Sequence, residues 1–234
     1  MKHPYILTTA KASLAIQLLV GIVGLYALTI ELDSSHVLLH DILALETVVQ
    51  FIELVYYGWL VYSFSQITYD ITSTRYFDWM LSTPIMIVST VAFFLYNNDA
   101  MSEEVTSTTI TPNLLTLLTP HLNSLGWILL MNWLMLLFGY FGEKKWISRT
   151  TGFVTGSFAF CLSFVWLYQS FVGVNHTNIC LFWFMFGVWS CYGLAYLFSY
   201  EIKNIAYNVL DVLSKNFYGL FLAWTIIQLA PNKF

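Results

Sequence analysis

Apolar residues along this chain fall into long runs rather than into alternation. They occupy roughly 6–30, 38–64, 76–96, 125–141, 150–172, 178–200 and 204–230, with polar and turn-forming stretches between. Such runs match the ~20 apolar residues that cross a bilayer as a helix. Their continuity disfavours a β-barrel, whose strands alternate apolar and polar positions. The longest polar connection, from Asn97 to Ser124, carries Glu103, Glu104, a Ser/Thr run, Pro112, Pro120 and a patch of leucines. It is expected either to lie along the membrane interface or to begin the fourth helix early. No internal repeat, low-complexity tail or second domain interrupts the pattern. The expected architecture is an all-α membrane protein, one seven-transmembrane-helix bundle over residues 1–234.

Composition agrees. Charged residues make up 9% of the 234 and hydrophobic ones 58%, with a mean hydropathy of +0.69. A soluble domain carries about a quarter charged residues, so most of this surface must face the lipid bilayer. The net charge of −4 argues against a nucleic-acid partner. Cys161, Cys180 and Cys191 lie inside apolar runs and read as small packing residues rather than a disulfide framework. The first run is long enough to span and lacks a small-residue cleavage site, so no cleavable signal peptide is expected. Lys2, Lys144, Lys145, Arg149 and Lys203 fall on the amino-terminal side of a seven-span arrangement and Lys233 on the other. By loop charge alone, the amino terminus belongs in the cytoplasm.

Inside the runs stand Glu46, Glu53, Arg75, Asp78, Asp211 and Lys215. Ionisable groups in a bilayer cost several kcal/mol and mark function by default. Asp211 and Lys215 are four apart and share a helix face. A mid-membrane lysine must be compensated by a carboxylate or consumed in a covalent bond. Asp78, Asp211 and Arg75, one turn before Asp78, offer a compensated cluster. A structural salt-bridge network satisfies that requirement. So does a lysine that forms an imine with a carbonyl ligand, since the protonated imine needs such a counter-ion.

These residues carry a resemblance. Arg75-Tyr-Phe-Asp78-Trp79-Met-Leu-Ser82-Thr83-Pro84 resembles the third-helix signature of the microbial rhodopsins, and Asp211-Val-Leu-Ser-Lys215 their seventh-helix retinal attachment sequence. Asn132, Met135 and Gly139, then Trp189, Tyr192 and Tyr196, stand at the family's pocket spacing, and Phe138-Gly-Tyr-Phe-Gly-Glu143 is similar to its fourth-helix ending. The likeness covers nearly the whole chain. It implies all-trans retinal linked to Lys215 as a protonated Schiff base, isomerised by light to 13-cis. Asp78 would be proton acceptor and primary counter-ion, Asp211 the second counter-ion, and Arg75 their balance. Trp79, Trp189, Tyr192 and Tyr196 would clamp the polyene, with Thr83, Met86, Met135, Asn132 and Gly139 beside it and Ser82 bonded to Asp78. The family places the amino terminus outside, against the loop charges, and that placement is preferred here. No enzymatic activity is expected.

Two departures bear on transport. The family's outward proton pumps hold a carboxylate eleven residues after the acceptor, where this chain has Ser89, and Lys203 takes one place of their paired outer glutamates. Gly193 stands where many members have proline. On the second helix, Glu46, Gln50 and Glu53 form a polar stripe; Asn204, Asn208, Asp211 and Lys215 form another on the seventh, and Lys11, Ser13 and Gln17 a third wall on the first. Oxygen-lined walls with negative charge are what a hydrated cation path requires. The pattern is most similar to the rhodopsins of large algal viruses, whose first group includes light-gated cation channels. A light-gated channel for monovalent cations is therefore expected, with a light-driven outward proton pump as the alternative. Asp78 disfavours a chloride pump, and nothing marks a transducer-binding face. Partners are retinal, monovalent cations, protons and lipid; a homo-oligomer is left open.

Overall fold

Polar residues between the apolar runs set the helix ends. The computed structural model describes residues 3–101 and 113–230. Among these, seven helices traverse the molecule: α1 (Pro4–Ala27), α2 (Leu38–Ser63), α3 (Thr72–Met101), α4 (Leu114–Glu143), α5 (Arg149–Val172), α6 (His176–Tyr196) and α7 (200–229). Pro4 begins α1, where a missing N–H costs nothing. Asp70 accepts from the Thr72 amide at 2.7 Å, Asn113 from Thr116 at 2.9 Å, Ser148 from Thr151 at 3.0 Å and Asn175 from Thr177 at 2.9 Å. Each such cap supplies one acceptor to a first turn that has none of its own. Helix starts fall ahead of the apolar runs, at Thr72 through the Asp70 cap and at Tyr200 without a side-chain cap, so Thr72–Arg75 and Tyr200–Lys203 belong to helices that hydropathy alone begins later.

The described part of the connection before the fourth run is largely helix. Leu114–Leu118 is α-helical, Thr119–His121 tightens into a 3₁₀ turn that accommodates Pro120, and Leu122–Glu143 continues the span. Of the two readings open from sequence, the early start of α4 is the one observed. Lys2, Glu103, Glu104, Pro112 and Lys233 lie outside the described residues.

Sequential helices pack as neighbours, and α1 closes the ring against both α2 and α7. The outward faces are apolar: Leu18, Leu19, Ile22 and Leu25 on α1, Phe51 and Val55 on α2, and Phe158, Leu162 and Val165 on α5 are all exposed. In water this surface would aggregate; in a bilayer it is the solvent-facing side. Among the described residues, five helices are apolar and long enough to span alone, while α2 and α7 carry the polar stripes. α3 is the most enclosed: 61% of its apolar window is buried, against 28% for α1.

Glycines bring α4 and α5 into close contact. A Cβ on Gly152 would stand 2.8 Å from the Phe138 carbonyl oxygen and 3.2 Å from Gly142 Cα, so only glycine permits this approach. Small residues four apart, here Gly152 and Gly156, are a common means of joining helices in lipid. The α5–α6 seam is packed far more sparsely. Cys161, Cys180 and Cys191 are free thiols, as expected, but all three are exposed on the outer surface rather than packed inside. In lipid a thiol facing outward carries no penalty, so burial was not needed to place it in an apolar run.

Candidate functional site: a compensated lysine at the end of an apolar cavity

Lys215 is 1% exposed, and its amine is held by carboxylates from three helices. Nζ donates to Glu53 Oε1 at 2.7 Å and to Asp78 Oδ2 at 2.8 Å, with Asp211 Oδ1 at 3.8 Å. A buried cation without such partners would carry a penalty of several kcal/mol. Lys215 lies in a π-helical turn, Val212–Asn216, inserted in α7. Such turns recur at functional sites. The compensated cluster expected from sequence is thus present, with Glu53 as close to the amine as Asp78.

Asp211 is occupied on its other sides. Tyr57 donates to Oδ2 at 2.7 Å, Tyr192 and Trp79 donate to Oδ1 at 2.8 and 3.2 Å, and Arg75 Nη1 lies 3.4 Å from Oδ2. Arg75 is directed towards α7: Nε donates to Asn204 Oδ1 at 3.0 Å and Nη2 to Asn208 Oδ1 at 2.5 Å. Two cations and three carboxylates therefore share one buried cluster, which confines negative charge to the middle of the bundle. The expected bond from Ser82 to Asp78 is not made. Ser82 Oγ and Asp78 Oδ1 are both buried without a partner among the described residues. Ser82 sits one turn on along α3, but Asp78 is drawn by Lys215 through its other oxygen.

A cavity of about 300 Å³ begins at Lys215 and reaches Phe160 and Cys161 on α5. Trp79, Thr83, Met86, Met135, Gly139, Trp189, Tyr192 and Tyr196 line it, as expected, together with Tyr76, Phe153, Gly156 and Tyr207. Asn132 acts one step back, donating to Thr83 Oγ1 at 2.8 Å. A Cβ at Gly139 would stand 2.7 Å from the Tyr76 hydroxyl, so the wall is kept free at that point by glycine. An apolar, ring-lined cavity that ends on a primary amine beside carboxylates fits a conjugated apolar aldehyde such as retinal.

Polar side chains continue on both sides of the lysine. Towards the amino-terminal side, Asn208 Nδ2 donates to Thr9 Oγ1 at 2.7 Å and to the Ile6 carbonyl at 3.1 Å, while Ser13 donates to the Asn208 carbonyl at 2.9 Å. Asn204 Nδ2 donates to Thr72 Oγ1 at 2.9 Å. On the opposite side, Glu46 accepts from Ser89, and Gln17, Gln50 and Asn216 are buried with both amide atoms lacking a partner among the described residues. Lys11 does not join this wall: it is exposed on the outer face of α1, and Ser13 and Gln17 are the α1 residues turned inward. Its side of the helix differs from theirs because residues two apart point about 200° apart on a helix. At the amino-terminal-side end, Lys203 Nζ lies 2.7 Å from both Glu143 carboxylate oxygens.

Tyr57 and Asn216 escaped the reading from sequence. Tyr57 extends the Glu46, Gln50, Glu53 stripe by one turn, a signal hidden by the many aromatic residues of the chain; Asn216 adjoins Lys215 in the π turn and is buried with it.

The comparisons with known proteins follow the same lines. A family model described as bacteriorhodopsin-like protein matches residues 8–229. The solved viral rhodopsin OLPVRII superposes with a TM-score of 0.79 at 27% identity, covering 95% of this chain and 98% of that chain. The proton-pumping rhodopsin AR2 from the marine alga Acetabularia acetabulum gives 0.72 at 15% identity, covering 97% and 98%. Halorhodopsin, a light-driven chloride pump, gives 0.70 at 15% identity, covering 97% and 98%. A search of curated proteins gave no match.

Proposed function

The chain belongs to the bacteriorhodopsin-like family of membrane-embedded retinal proteins, and we propose that it is a photoreceptor that conducts cations when illuminated. Retinal, when bound, supplies visible absorption and a light-driven change of shape next to Lys215. Its attachment point is the Lys215 amine, in the all-trans form, and Asp78 and Glu53 hold the positive charge there. The Lys215 nitrogen can pass its proton to Asp78 Oδ2, 2.8 Å away. That transfer cancels the charge pair joining α3 to α7 and leaves Glu53 without its cation, so the hold of α2 and α3 on α7 weakens together.

The observation that carries the channel reading is the file of buried polar side chains from α1, α2 and α7. Asn204, Asn208 and Ser13 are hydrogen-bonded shut on the amino-terminal side of the lysine. Gln17, Gln50 and Asn216 on the far side have amide atoms without a protein partner among the described residues. Buried amides without partners are costly unless water or an ion meets them. Glu46, Glu53 and Asp211 line the file with carboxyl oxygens, the kind of ligand that replaces the hydration of a cation. Light then needs only to release the closed half. The amino terminus faces the outside in this reading, and lipid surrounds the bundle.

One observation favours a second reading, an outward proton pump. Glu46 is bonded to Ser89, so a carboxyl group from α2 reaches the α3 site that lacked one. Voltage clamp of illuminated cells separates the two. A channel current reverses sign when the cation gradient is reversed, and a pump current keeps one direction. A current that stays outward at every ordinary voltage overturns the channel.

A further inference from the structure

We propose that the polar layer beside Glu53 holds one monovalent cation in the dark, bound between α1, α2 and α7. The inference deepens the cation-conducting reading, since the site lies in the same file, and it is read by binding rather than by current. The first observation is a charge without its match. Glu53, Asp78 and Asp211 are three carboxyl groups set against two cations, Arg75 and Lys215. One further positive charge, a proton or a metal cation, must balance them, because burial penalises a charge left unmatched.

The second observation selects between those two. Gln17 and Asn216 are each 1% exposed and Gln50 6%, and both amide atoms of all three lack a partner among the described residues. Glu53 Oε2 lacks one as well. These groups meet at one level. A Cβ built at Gly219 on α7 would lie 3.4 Å from the Gln50 amide nitrogen and 3.9 Å from Val20 on α1. Asn216 precedes Gly219 by three residues and Gln17 precedes Val20 by three, so each lies about one turn from that meeting point. Glu53 follows Gln50 by three on α2, and its other oxygen accepts from Lys215 at 2.7 Å.

A proton on a carboxyl group balances the charge but leaves the three amides as they are. A cation beside Glu53 Oε2 balances the charge and also gives the amide carbonyls something to bind. Carbonyl and carboxylate oxygens are the ligands that replace the hydration of a cation. The donor set fixes the class of ion. Three neutral carbonyls and one carboxylate in excess match a single positive charge, whereas divalent sites gather several carboxylates around the ion. Glu46, four residues before Gln50, offers a second oxygen without a partner among the described residues and continues the lining to the far side.

The test is made on retinal-loaded protein in lipid nanodiscs, melted in the dark at matched ionic strength. The salts are the chlorides of sodium, potassium, calcium and N-methyl-D-glucamine. Sodium or potassium at about 100 times its half-saturating concentration is expected to raise the melting midpoint by about 5–10 °C over N-methyl-D-glucamine. Gln17→Leu and Gln50→Leu, on different helices, are each expected to remove most of that rise. In infrared difference spectra of the parent, sodium is expected to abolish the carbonyl stretch of a protonated carboxyl group and to shift side-chain amide bands. Equal midpoints in all four salts overturn the site and leave water and a proton to fill the layer. A rise that persists in both variants, or that calcium produces more strongly than sodium, overturns it too. Should neither variant fold, an infrared carboxyl band unchanged by sodium in the parent overturns it. Photocurrent without any sodium effect overturns the bound cation alone, and a sodium effect in protein that passes no photocurrent overturns the channel alone.

Discussion

Asn208→Ala removes the side chain that ties four helices together in the closed half of the polar file. The Asn208 amide accepts from Arg75 at 2.5 Å and from Tyr57 at 3.2 Å, and donates to Thr9 at 2.7 Å and Ile6 at 3.1 Å. A hydrogen bond to a charged group contributes about 1.5–3 kcal/mol and a neutral one about 0.5–1.5 kcal/mol. Arg75 and Tyr57 retain Asn204 and Asp211 as partners, and water can enter the space left behind, so the net loss is about 2–3 kcal/mol. If these bonds hold the closed state and are absent from the open one, the closed-to-open ratio shifts by roughly 30- to 150-fold, at 1.4 kcal/mol per factor of ten. Voltage clamp reads this as a raised dark conductance and slower closing after a light pulse. Thr9→Ala, which removes one neutral bond, should give a smaller shift of about five-fold. Asn208→Ala protein that carries normal pigment, yet has dark conductance and closing rate within two-fold of the parent, would refute the assignment of this knot as the gate.

Further substitutions probe the rest of the bundle. Glu143→Gln leaves Lys203 charged and without its partner at a side-chain exposure of 6%, which should cost about 3–5 kcal/mol and lower the melting temperature by about 10 °C; Glu143→Gln/Lys203→Met should recover most of it. A Cβ on Gly142 would overlap the Tyr196 hydroxyl, so Gly142→Ala should destabilise by about 1–3 kcal/mol in thermal melts, and adding Tyr196→Phe should relieve it. Glu46→Gln should change cation selectivity or current amplitude in the channel reading, while a slowed dark recovery at unchanged selectivity would favour Glu46 as a proton store beside Ser89.

The helices were legible because lipid imposes one rule on every outward face: the seven apolar runs survive in the structure as the exposed sides of α1, α2 and α5 and their neighbours. The ends were less so. Thr72 and Leu114 begin helices at the Asp70 and Asn113 caps, and Tyr200 begins one without a side-chain cap; none of the three carries a hydropathy signal. The charged centre was readable because few side chains have cause to be charged in a membrane, so Glu53, Asp78, Asp211 and Lys215 stood out against their surroundings. Ser82 and Lys11 show where that reasoning ends. Spacing placed Ser82 one turn from Asp78, but which carboxylate oxygen turns to it depends on Lys215 from another helix. Lys11 shares a segment with Ser13 and Gln17 but not their face, and the polar residues of α1 are too few to fix its rotation. Two π turns, Tyr168–Val172 and Val212–Asn216, left no mark in the pattern because they add one residue to a turn without altering its polarity.

Whether Lys215 carries the light-absorbing group can be read in one measurement. The chain is loaded with retinal, reduced with borohydride to make the link permanent, digested, and weighed peptide by peptide. The added mass is expected on the peptide containing Lys215 and to vanish in Lys215→Ala. Retinal found on Lys11, Lys203 or no lysine at all, in protein that still absorbs visible light, would contradict the placement of that amine at the head of the cavity.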